Sequence, residues 1–146
     1  MKRLHNLLAI PCFLVSLSVF ADEPAVSPPI LKPQTQNDVT FVSGGIGESE
    51  RNAIQAVKGD YNLTMLFALK GSGEFIADIN VRITDAKGNA LVETVTDGPY
   101  LFVKLMPGDY TVSAEKNGHV MQQKAVVNDR HATSLSFYWP HDFAGK

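Results

Sequence analysis

Between Asp85 and Val112 the chain reverses direction every few residues, and the residues that turn it leave room for little except antiparallel strands. The stretch reads Asp85-Ala-Lys-Gly88-Asn89, an apolar-polar alternation, Thr96-Asp-Gly98-Pro-Tyr100, a second alternation, then Leu105-Met-Pro107-Gly108-Asp-Tyr110-Thr-Val112. Glycine at the turns takes backbone conformations that other residues resist, and Asp, Asn and Pro set the turns on either side. A segment of this kind is too short between turns for helices and well suited to strands.

The same rhythm extends to both sides. Tyr61, Leu63, Met65, Phe67 and Leu69 alternate with Asn62, Thr64, Leu66 and Ala68, as in a strand buried on one face and partly covered on the other. Gly71-Ser-Gly73 turns the chain into Ile79–Thr84, where Ile79, Val81 and Ile83 alternate with Asn80, Arg82 and Thr84. Further strands are expected over Leu91–Thr96, Tyr100–Leu105, Tyr110–Glu115, His119–Val127 and Thr133–Trp139, with Asn117-Gly118 as a hairpin turn. Val39–Ser43 adds a short first strand. The expectation is a mainly β chain: an antiparallel Ig-like or transthyretin-like β-sandwich of about seven strands with one short N-terminal helix.

That helix is the segment that breaks the alternation. In Gly44-Gly-Ile-Gly47-Glu-Ser-Glu50-Arg-Asn-Ala53-Ile54-Gln-Ala-Val57, acidic residues crowd the start and Gly59 follows the end. Those are start and stop signals, because carboxylates complement the positive helix N-terminus. Ile46, Ala53, Ile54 and Val57 give one apolar stripe, predicting about three turns packed across the sandwich.

The N-terminus has the layout of an export signal. Lys2 and Arg3 precede an apolar run over Leu7–Phe20, and Val19-Phe20-Ala21 supplies small residues for cleavage after Ala21. The run is short of the about 20 apolar residues that a spanning helix needs, so no stable membrane span is expected after signal removal. Cys12, the chain's one cysteine, lies within this run, which leaves neither a disulfide nor a thiol nucleophile beyond it. Residues 22–37, with four prolines, read as an extended linker. The domain follows over residues 38–140, and residues 141–146 form a tail. Without residues 1–21 the balance is 11 Lys and Arg against 15 Asp and Glu, a net −4 with scattered charges, which argues against nucleic acid as a partner. The expected location is periplasmic or secreted.

Ile79–Phe137, through its Asp85-Ala-Lys-Gly88 turn and its Leu105-x-Pro107-Gly108-x-Tyr110-Thr-Val112 corner, resembles the carboxypeptidase regulatory-like, transthyretin-like domain, in the stand-alone type exported by bacteria. The resemblance covers about half of the chain beyond the signal. It implies a small noncatalytic β-domain and says nothing about the partner. Transthyretin-like hydroxyisourate hydrolases share the sandwich, but their C-terminal Tyr-Arg-Gly-Ser is replaced here by Pro140-His-Asp-Phe-Ala-Gly-Lys146. No enzymatic activity is therefore expected.

Other motifs weigh the same way. Gly44-Gly-Ile-Gly47 precedes a helix as a phosphate loop does, yet no Lys-Ser/Thr follows, so it reads as a tight strand-to-helix connection. His119, His131 and His141 fall in a hairpin, a loop and the tail, so no metal site and no cofactor are expected. Asp85, Asp97 and Asp109 read as turn formers. What remains is a binding or structural module of the cell envelope, docking a protein through the helix, the Gly44–Gly47 loop and an exposed sheet edge. Gly45, Glu48, Glu50 and Arg51 are its candidate contact residues. The alternative partner is a glycan, for which Tyr138 on the last strand is the candidate platform.

Overall fold

A computed structural model of the protein describes residues 31–144. The expected signal segment, most of the expected linker and the last two residues of the tail lie outside the described residues. Within them the chain is mainly β. Nine strands run in order: β1 (Gln34–Gln36), β2 (Val39–Gly44), β3 (Leu63–Leu69), β4 (Asn80–Asp85), β5 (Ala90–Val95), β6 (Tyr100–Lys104), β7 (Gly108–Lys116), β8 (His119–Val127) and β9 (Thr133–Trp139). Helix α1 (Gly47–Ala56) lies between β2 and β3. Two sheets, β1-β2-β6-β3-β9 and β5-β4-β7-β8, form the sandwich.

The alternation seen in the sequence assigns the faces. Leu63, Met65, Phe67 and Leu69 of β3 meet Val81, Ile83, Tyr110, Val112 and Ala114 of the second sheet in one buried core. Phe67, Phe137 and Trp139 are its aromatic centre, with Phe67 and Phe137 stacked at 5.6 Å between ring centroids. Such a contact is worth about 0.5–1.5 kcal/mol beyond the area it buries. The Asn117-Gly118 turn has both residues in the left-handed region, φ 48° and 82°, as the tightest hairpin connection requires. At the Pro107-Gly108 corner the Tyr110 hydroxyl donates to the Met106 carbonyl at 2.7 Å, so the ring is buried with its polar tip satisfied.

Four features differ from the sequence-based expectation. The linker's last residues are a strand: Gln34–Gln36 pairs antiparallel with β2, joined to it by Asn37 and Asp38 at φ 47° and 63°. An all-polar three-residue strand has no apolar alternation to announce it. Second, β3 and β9 pair in parallel, from Leu63 opposite Thr133 to Leu69 opposite Trp139, so the sandwich is not wholly antiparallel. Third, Ile46 is not part of the helix's apolar stripe. It sits at the N-cap with extended backbone (φ −78°, ψ 123°) and is 61 % exposed, whereas Ile54 is fully buried. Fourth, Tyr61, expected on the strand, precedes it and packs with Phe102 on the other layer, at 6.2 Å between ring centroids.

Candidate functional site

Helix α1 covers only part of the sheet it lies on. Ile54 packs against Val42 of β2 and Phe102 of β6, with Leu31, Val57, Tyr61 and Tyr100 around them. Beside the helix the outward side chains of β9 are exposed, whereas on β3 Thr64 and Ala68 are buried and Leu66 is half-buried. The floor there follows from register: Leu66 lies between Tyr100 and Ser136, and Thr64 between Phe102 and Ser134. Gln55 near the end of α1 and Lys58 in the short turn after it line this groove, whose volume is about 390 Å³. Thr64 and Ser134 share a hydrogen bond of 2.9 Å, so the middle of the floor is hydroxyl-lined.

At the upper end of the groove stand two exposed rings. The turn after β3 brings Phe75 opposite Ala68, and β9 brings Tyr138 opposite Ala68 on the other side. Bridged partners present side chains to the same face, so Phe75 and Tyr138 flank one small residue. They are 44 % and 48 % exposed. Phe75 meets Tyr100 edge-on at 5.7 Å, and the Arg51 guanidinium lies 6.0 Å from its ring centroid. Beyond the lower end, Lys58 also lines a second hollow, which holds Asn62, Asn128, Asp129, Arg130 and His131. The Asn128 carboxamide oxygen accepts from the Arg130 and His131 N–H groups at 2.9 and 3.0 Å, which fixes this loop's course.

The five residues singled out from sequence separate into distinct roles. Gly45 is buried, not a contact surface: its φ is 106°, and a Cβ there would fall 2.5 Å from Tyr100 Cδ2. A Cβ on Gly98 would likewise collide with the Gly44 carbonyl, so the glycines let β2 and the Asp97-Gly98-Pro99 turn approach. Glu48 is exposed in the first helical turn, and Glu50 is half-buried beside Gly44. Both carry out the electrostatic role expected at a helix start. Arg51 and Tyr138, 87 positions apart in the chain, come to the same face with Phe75 between them. Sequence reasoning missed Phe75 and Lys58. An aromatic residue alone in the Gly71–Asp78 connection was the available signal for the first.

Side chains engage backbone groups at both seams between the sheet edges. On one seam, Gln36 of β1 bonds Glu93 of β5 through both ends of its amide, at 2.9 Å each. On the other, Gln123 of β8 donates to the Ser136 carbonyl at 2.7 Å, and Thr133 donates to the Val126 carbonyl at 2.6 Å.

Shifted ionisations belong to the framework. Hydrogen bonds from the Asn89 side chain and backbone, and from the Lys87 N–H, hold the Asp85 carboxyl below the ordinary aspartate value. Burial, with the charge of a neighbouring aspartate, raises the Tyr61 and Tyr110 phenols above theirs. Among the described residues, no group of three or more His, Cys, Asp and Glu side chains is placed to hold a metal ion, and no helix is long and apolar enough to cross a membrane. No family model and no curated protein matches the chain.

Proposed function

We propose that the chain is a noncatalytic exported β-sandwich module that docks a partner in the cell envelope through the open half of its helix-bearing sheet. One observation carries this reading: α1 covers β2 and β6, while the outward side chains of β9 stay exposed beside the half-buried Leu66 of β3, with Phe75 and Tyr138 exposed past the end of the groove. Clustered exposed aromatic side chains beside a concave surface mark binding sites more often than isolated ones do. The carboxypeptidase regulatory-like resemblance supports an accessory, noncatalytic role. The export layout of residues 1–21 supports the location. Capture from an envelope extract by the chain, lost in a Phe75→Ser, Tyr138→Ser variant of unchanged melting temperature, is the expected result. Equal capture by both proteins would remove this face from consideration.

Of the two partner classes, the groove favours a glycan. Strand addition needs free backbone groups at an edge, and Gln36, Gln123 and Thr133 already take backbone groups of Glu93, Ser136 and Val126 at the two seams. Sugars instead offer C–H faces to aromatic rings and hydroxyls to a polar floor. The Phe75–Tyr138 end and the exposed Ser134 and Ser136 hydroxyls provide both.

A further inference from the structure

We infer that the ligand is an acidic oligosaccharide, one carrying carboxylates on its sugar units, lying along β9 from the aromatic end to a cationic end. The inference rests on the binding face proposed above and adds the charge and the direction of its occupant. The groove lining contains one charged residue, Lys58, and no carboxylate. Lys58 also borders the hollow beyond, where Arg130 and His131 stand with a single acid, Asp129. Neither Lys58 nor Arg130 makes an ion pair among the described residues, whose one salt bridge is Arg82 to Glu93 on the other sheet.

The lining of this end sets Lys58 and Arg130 against Asp129 in a chain whose formal net charge is −2, with Asp60 two residues after Lys58 outside that lining. Lys58 in the groove and Arg130 in the hollow beyond it complement an anionic ligand that reaches both, and a guanidinium binds carboxylate through paired N–H donors. From Thr133 to Tyr138 the strand spans roughly 16 Å, at roughly 3.3 Å per residue. The site therefore suits several linked sugar units, with rings stacked at Tyr138 and carboxylates reaching Lys58 and Arg130.

The test uses the purified chain with a short oligogalacturonate, its methyl ester and polyglutamate, titrated by calorimetry at low salt. The expected result is binding of the uronate, with Lys58→Ala, Arg130→Ala weakening it at least tenfold, as loss of charge-assisted hydrogen bonds does. Tyr138→Ala should weaken uronate binding as well. Equal binding of uronate and ester would overturn the charge assignment and leave the binding face standing. Polyglutamate bound as tightly as uronate, with Tyr138→Ala without effect, would overturn the sugar assignment. No binding of any probe would overturn the inference, while the extract capture described above decides the binding face separately. All three side chains are exposed, and a melting temperature matching the parent's is required of each variant.

Discussion

The side-chain amide of Gln36 bonds Glu93 as a neighbouring strand would, donating to its carbonyl and accepting from its N–H, each at 2.9 Å. Gln36 lies on β1, an edge of the first sheet, and Glu93 lies on β5, an edge of the second. Asn37 extends the seam by donating to the Leu91 carbonyl at 3.1 Å. Two sheets that share no backbone ladder are thus joined at their edges by side chains that imitate one. The outward backbone groups of Glu93 are removed from any passing strand.

Replacing Gln36 by Ala is therefore expected to act twice. Two hydrogen bonds are lost, which lowers stability by about 1–2 kcal/mol. The β5 edge is also uncovered, so the variant should self-associate at concentrations where the parent stays monodisperse. Urea unfolding and light scattering read the two effects separately, and a variant that matches the parent in both would show that the seam is dispensable.

The loop glycines should not be equivalent. Gly47 has φ 77° with open space where a Cβ would project, so Gly47→Ala is expected to cost only the left-handed backbone penalty of about 1–2 kcal/mol. Gly45 has φ 106° and Tyr100 in the way, so Gly45→Ala adds a collision to the strain. Chemical denaturation should rank Gly45→Ala clearly below Gly47→Ala, and near-ultraviolet dichroism should report a displaced Tyr100 in the first variant alone.

Ile54 is the one fully buried residue of α1 and anchors it to Val42 and Phe102. Ile54→Ala is expected to destabilise the protein by about 2–5 kcal/mol, the range for removing a buried aliphatic side chain. Because α1 walls the groove, amide exchange should quicken across the helix before the core strands respond. Uniform loss of protection across α1 and β3 would instead mean that helix and sandwich unfold as one unit.

Asp85 gives the fold an acid-sensitive turn. Its carboxylate accepts from the Lys87 and Asn89 N–H groups at 2.9 Å each and from the Asn89 side chain at 3.1 Å. These bonds depress its folded pKa, so the carboxylate's contribution to stability is fully present above the unfolded value of about 4. That contribution is lost as pH falls from there through the lower folded value, where both states become protonated. Asp85→Asn should consequently melt below the parent at neutral pH and converge with it in acid. A gap independent of pH across that range would assign the effect to geometry rather than to charge.

Much of the fold is legible in the chain because a strand's faces are written in steps of two. Leu63, Met65, Phe67 and Leu69, or Tyr110, Val112 and Ala114, declare a buried face whatever partner they find. Turn residues declare reversals locally, as Asn117-Gly118 does, since only a few residues adopt the backbone angles required. The acidic start of α1 is equally local, set by the helix's own unpaired N–H groups. Alternation does not name a strand's neighbour, however. The parallel pairing of β3 with β9 and the bridge that sets Phe75 beside Ala68 both depend on how distant segments stack in three dimensions. Tyr138 was recognisable as outward-facing, because Phe137 and Trp139 flank it. That it stands with Phe75 past the end of a groove lined by Thr64 and Lys58 was decided by the tertiary structure alone, through an α1 that covers β2 and β6 and not β9. Gln36 marks the same boundary. A polar side chain buries no apolar surface and leaves no periodic trace, so its bonds to Glu93 arise only once two sheet edges lie side by side.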